Sequence, residues 1–123
     1  MKKAVALVDD EEVFHWIVKK NIEHAKINCE LLSFYNGQEI LDHLKDPSLQ
    51  RPDIILLDLN MPVLGGWQFL EEYAEECVSL DIVIYIVTSS IDPEDLNRAK
   101  KIPCVKDFIS KPLTSEILEK LLS

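Results

Sequence analysis

The sequence predicts an α/β fold: one parallel five-stranded sheet with helices on both faces. Three observations carry this. Five short runs rich in Val and Ile, at 4–8, 29–34, 54–57, 82–87 and 105–109, alternate with five stretches of helical apolar period. Three of the runs are apolar almost throughout, as strands buried on both faces are. The length of 123 residues suits a single domain with a real core, and the nine Gly and Pro argue against a disordered chain.

Each element has its own warrant. The run 4–8 is too short for a helix, and Phe14, Ile17, Val18, Ile22 and Ala25 then form an apolar stripe. After 29–34, Asn36 with Glu39 three residues on resembles a capping box ahead of Ile40, Leu41 and Leu44. After 54–57, Gly65-Gly66 turns the backbone before a helix carrying Phe69, Leu70, Tyr73, Ala74 and Cys77. After 82–87, Asp92-Pro93 places a cap before a proline at the first helical position, with Leu96 and Ala99 following. After 105–109, Thr114 caps a last helix with Ile117, Leu118, Leu121 and Leu122. Strand–helix repeated five times, with right-handed crossovers, gives a flavodoxin-like (βα)5 three-layer sandwich of strand order 2-1-3-4-5. The chain ends with the fifth helix, so one domain, 1–123, with no output domain, is expected.

Charge narrows the function. Asp and Glu number 22 against 13 Lys and Arg, a net charge of -9. The lysine pairs Lys2-Lys3, Lys19-Lys20 and Lys100-Lys101 are isolated, so nucleic acid and anionic membranes are excluded as partners. No apolar run approaches a transmembrane span, and Asp9-Asp10-Glu11-Glu12 ends any signal-peptide reading. Cys29, Cys77 and Cys104 are odd in number and lack metal-ligand spacing, so reduced thiols in a cytoplasmic protein are expected.

In open α/β sheets ligands bind outside the carboxyl ends of the strands. Those ends carry Asp9-Asp10, Asp58, Thr88-Ser89 and Ser110-Lys111-Pro112. Three gathered carboxylates repel one another and call for a cation, and a hard divalent ion such as Mg²⁺ takes oxygen ligands and leaves room for a phosphate oxygen. Lys111 adds a compact positive charge. A carboxylate beside a metal, a Lys and a hydroxyl can perform phosphoryl transfer onto an Asp oxygen.

These residues resemble a receiver domain of two-component response regulators over essentially the whole chain. The supporting motifs are Asp9-Asp10, Asp58-Leu59-Asn60-Met61-Pro62 with Gly65-Gly66, Thr88-Ser89, and Phe108-Ile109-Ser110-Lys111-Pro112. Without an output domain, the chain resembles the stand-alone, chemotaxis-type regulators. The resemblance implies two-component phosphorelay signalling, in which a sensor histidine kinase or histidine phosphotransfer protein phosphorylates Asp58. It implies Mg²⁺ or Mn²⁺ held by Asp10 and Asp58, with the Asn60 backbone carbonyl and, through water, Asp9. Lys111 would pair first with Asp58 and then with the phosphate. Thr88 would be the switch hydroxyl and Phe108 the switch aromatic, remodelling the helix 4–strand 5–helix 5 face for an unknown protein target. Pro112 implies a cis peptide fixing the Lys111 turn. Asn60 and Ser90 stand where the family tunes autodephosphorylation, and the small Ser90 implies turnover rather than persistence. The protein is expected to be a signalling domain rather than an enzyme, and a monomer or weak dimer.

Rival readings fare worse. A flavin or nucleotide site needs a Gly- and hydroxyl-rich first loop, whereas Asp9-Asp10-Glu11-Glu12 repels phosphate. A dehalogenase-type phosphohydrolase would carry its nucleophile on the first strand. A scaffold of the same fold that binds partners without phosphorylation would lack an acidic, Thr or Lys residue of the set, and none is missing. His15, His24 and His43 are expected at the surface or half-buried, with Trp16 and Trp67 packed on helices 1 and 3.

Overall fold

The computed structural model describes residues 2–89 and 92–122. The chain runs β1 (Lys3–Val8), α1 (Glu12–His24), β2 (Cys29–Phe34), α2 (Gly37–Lys45), β3 (Ile54–Leu57), α3 (Gly66–Ser79), β4 (Val83–Thr88), α4 (Pro93–Lys100), β5 (Val105–Ser110) and α5 (Ser115–Leu122). The strands pair in parallel in the order β2-β1-β3-β4-β5, as expected. Every expected strand lies within a residue or two of its observed place. The three nearly continuous apolar runs are the inner strands β1, β3 and β4, and the mixed ones are the edges β2 and β5.

The sheet separates two apolar cores. One lies under α2, α3 and α4 and holds Ile55, Leu57, Phe69, Ile84 and Ile86. The other lies under α1 and α5 and holds Val5, Leu7, Leu56, Val18 and Leu118. Alternation along the strands feeds them in turn: Ile55 and Leu57 face one, Leu56 the other. Such burial is the main stabilising term, at about 25 cal/mol per Å² of apolar surface.

Helix starts follow the local chemistry. The Asn36 side chain accepts from the Glu39 amide at 2.9 Å, while the Glu39 carboxylate accepts from the Tyr35 amide at 2.8 Å, one residue before the position a capping box would use. Asp92 accepts from Glu94 at 3.0 Å with Pro93 at the first turn, and Thr114 Oγ1 accepts from Ile117 at 3.2 Å. Gly65-Gly66 works differently from expectation: no glycine has positive φ, so close approach rather than turning is what is required. A Cβ on Gly66 would strike the carbonyl oxygen of Asp58 and lie 2.9 Å from Leu59 Cα. Gly66 thus lets α3 begin directly against the end of β3.

Three expectations fail on α1. Trp16 is 61% exposed, and Ile17 also faces solvent, while His15 is buried beside Phe14, Val18 and Ile22. The stripe narrows because α1 lies on the sheet beside α5, and only the face turned to that shared core is buried. Trp67 is half-buried as expected, with the Arg98 guanidinium 4.3 Å from its ring centre. His24 is exposed and His43 half-buried.

Candidate functional site

The site grows from the carboxyl ends of β1, β3, β4 and β5. Asp9 and Asp10 follow β1, and Asp58 follows β3. The Asp58 amide donates to Val8 carbonyl at 2.9 Å, so β1 positions the phosphoacceptor candidate through the sheet ladder. One oxygen each from Asp9, Asp10 and Asp58 lies within 4.8 Å of the others. Asp9 is 1% and Asp58 6% exposed, while Asp10 is open to solvent.

The two buried carboxylates are held differently. Asp9 Oδ1 accepts from the Glu11 amide at 2.9 Å, which supports the start of α1; Asp10 makes no cap there. Asp58 Oδ1 accepts from the Leu59 amide at 2.9 Å. Burial and the Asp9 charge push the Asp58 carboxyl up to about 6, against the opposing pull of Lys111 and the Leu59 amide; Asp10 adds a smaller upward push. At neutral pH the group is still mostly ionised.

Lys111 reaches into the cluster across the Lys111–Pro112 cis peptide, which occurs as expected. Its amide donates to the Thr88 carbonyl at 2.9 Å, tying the β5 end to the β4 end. Its first partner differs from expectation. The Nζ is 2.6 Å from Asp9 Oδ2 and 3.9 Å from Asp58 Oδ2, with Glu11 Oε1 at 3.4 Å. Each carboxylate already accepts a backbone amide on Oδ1, from Glu11 and from Leu59, and the enclosed Asp9 Oδ2 has no donor but Lys111. The Phe14 ring lies 4.3 Å from the ammonium. Burial draws the Lys111 pKa down, but the hydrogen bond to Asp9 and the charges of Asp58 and Asp9 outweigh it, so the net shift is upward.

Thr88 is fully buried at the end of β4, and Ser89 is exposed beside it. Asn60 is exposed in the loop after β3. Phe108 is half-buried on β5 and packs on the core beneath α4. Ser90 lies outside the described residues.

Three contributors were not foreseen. His15 Nε2 lies 2.8 Å from the Asp9 carbonyl oxygen, and its ring sits 4.5 Å from that of Tyr35. Phe14 and Glu11 both face Lys111. Phe14 was legible as core, but contact with a lysine from the far end of the chain leaves no local signature.

The donor set suits a hard divalent cation: carboxylate oxygens alone, two of them buried, with the Asp58 carboxyl displaced upward by burial and then by Asp9. Among the described residues no helix is long and apolar enough to cross a membrane.

Comparison with known proteins agrees with this arrangement. The family model described as the response regulator receiver domain matches residues 5–123. A protein-glutamate methylesterase/protein-glutamine glutaminase of Treponema pallidum is 36% identical over 117 residues, 92% of this chain and 27% of that protein. A sensor histidine kinase CheAY of Helicobacter pylori is 30% identical over 93% of this chain and 14% of its own length. The chain therefore spans about a quarter or less of these relatives. Among solved structures, a two-component response regulator from Cytophaga hutchinsonii superposes with a TM-score of 0.86 at 26% identity, covering 98% of this chain and 95% of that one. The chemotaxis response regulator CheY4 of Vibrio cholerae gives 0.80 at 25% identity, covering 99% and 97%. The chain belongs to the response regulator receiver domain family, the signalling module of two-component phosphorelays.

Proposed function

We propose that Asp58 is the phosphoacceptor, taking a phosphoryl group from a phosphohistidine of a sensor histidine kinase or histidine phosphotransfer protein. The observation that carries this is the convergence of Asp9, Asp10, Asp58 and Lys111 at one end of the sheet. An Asp58 oxygen attacks phosphorus, the P–N bond breaks, and its electron pair stays on the imidazole. Asp10 and Asp58, the Asn60 carbonyl, and Asp9 through water would hold Mg²⁺ or Mn²⁺. When bound, the ion neutralises the carboxylate cluster and the charge of the phosphoryl oxygens.

Lys111 lies between two carboxylates and is placed to move toward the phosphoryl group when negative charge arrives at Asp58. Thr88, enclosed at the neighbouring strand end, would turn its hydroxyl to a phosphoryl oxygen. Phe108 would follow inward and remodel the α4–β5–α5 face, a two-state shift read by a partner protein. Autodephosphorylation, tuned at Asn60 and Ser90, would return the domain to its resting state, and the small, exposed Ser89 would leave the acyl phosphate accessible.

The test is incubation with Mg²⁺ and acetyl phosphate, followed by intact mass. Wild type should gain one phosphoryl group and Asp58→Asn none. An unmodified wild type would overturn the proposal and leave a phosphorylation-independent scaffold. A phosphoryl half-life of many hours would sink the autodephosphorylation step alone.

A further inference from the structure

The opposite end of the sheet holds a second arrangement of reactive side chains. Cys77 lies in the last turn of α3 and is fully buried; Cys104 lies just before β5 and is 8% exposed. Their backbones are anchored to the same edge of the lead-in to β4. The Cys77 carbonyl accepts from the Ile82 amide and the Cys104 carbonyl from the Ile84 amide, both at 2.9 Å. Amides two residues apart on an extended chain point the same way and lie roughly 6.6 Å apart. Both cysteines belong to the core beneath α2, α3 and α4. Both also line one cavity of about 270 Å³, together with Asp81, Pro103 and Lys106.

The thiols act on each other. Hydrogen bonding to the Cys104 sulfur, followed by burial, pushes the Cys77 thiol well up, and the same bond draws Cys104 down against the effect of burial. The opposite directions make Cys104 the readier of the two thiols to ionise.

We propose that Cys77 and Cys104 are a redox-active dithiol, which a peroxide oxidises to an intramolecular disulfide between the end of α3 and the lead-in to β5. The Cys104 thiolate attacks one peroxide oxygen, the O–O bond breaks, and the departing oxygen leaves as water, giving a sulfenic acid. The Cys77 sulfur then attacks the Cys104 sulfur; the S–O bond breaks and the oxygen leaves as a second water, carrying the Cys77 proton. Two thiols lose two electrons and two protons, and one peroxide becomes two waters. Cys29, half-buried at the start of the edge strand β2, takes no part.

The reduced chain is treated with hydrogen peroxide at neutral pH and analysed by intact mass and non-reducing peptide mapping. Wild type and Cys29→Ala should each lose the mass of two hydrogens, yield a Cys77–Cys104 linked peptide, and regain the mass with dithiothreitol. Cys104→Ala should lose no hydrogens. No loss in wild type, oxygen added to single cysteines only, a bond to Cys29, or a link between chains would each overturn the assignment. The wild-type peptide map decides the matter even if a substituted core fails to fold.

Discussion

Asp58 carries the energetic tension of the site in one side chain. Its carboxyl stands at about 6 in the folded chain against 3.8 for the free group, raised by burial and then by Asp9. A raised acid binds its proton more tightly folded than unfolded, so it favours folding below about 4 and loses that contribution as pH rises toward about 6. Without divalent ions, stability should fall across that window, by roughly 2–3 kcal/mol from this group. Asp58→Asn should flatten the fall and raise the urea midpoint at pH 7.5, as pH-dependent denaturation would record. Val63 stores a second tension: a β-branched residue at φ 68°, 78% exposed, in the loop after β3. Replacing it with glycine should stabilise the fold by about 1 kcal/mol, because the left-handed region costs glycine no Cβ clash. Thermal or urea unfolding checks this, and an unchanged or lower midpoint would refute it. Gly66→Ala should do the reverse, costing about 1–3 kcal/mol, because its Cβ meets the Asp58 carbonyl where backbone cannot yield.

At the scale of elements, β5 decides the placement of the switch aromatic. The register against β4 runs Ile84↔Val105, then Tyr85↔Asp107 and Ile86↔Phe108, so Lys106 is an extra residue in a bulge. Simple alternation from Val105 would send Asp107 and Ile109 to the core beneath α4, and Phe108 to the opposite face. The bulge reverses this, placing Phe108 with Ile86 on that core and Ile109 with Val87 on the other. Deleting Lys106 should remove the bulge and leave Phe108 opposite Ile86 on the core beneath α4, with an unfolding midpoint near that of the wild type. A sharp fall in the midpoint would show that the bulge itself is needed to dock β5. The helix caps were visible in the sequence as residue types at fixed offsets. Even there the partner shifted: Glu39 serves Tyr35 rather than Asn36, because the side chain reached one residue past the cap.

Across the whole molecule, two cores grip a sheet whose carboxyl ends gather acids from strands β1 and β3 and a lysine from beyond β5. Binding a divalent ion there should stabilise the fold by about 2.7 kcal/mol when the ion is at a hundredfold excess over its Kd. Asp10→Asn should lose most of that gain in a thermal melt with and without Mg²⁺; an equal gain in the variant would remove Asp10 from the ligand set. What the sequence by itself determined was local. Apolar period separated strands from helices, continuous runs marked β1, β3 and β4 as interior, and the acids, Thr88 and Lys111 each stood at a strand end. Those features depend on neighbours within a turn or a strand, so they are written in consecutive residues. The tertiary structure alone decided that Lys111 takes Asp9 before Asp58, that His15 is buried against the Asp9 carbonyl while Trp16 faces solvent, and that Phe108 lies beneath α4. It alone also brought Cys77 to Cys104. These outcomes turn on register and on distances between segments far apart in the chain, which are settled only when both cores close and each side chain competes for the same enclosed space.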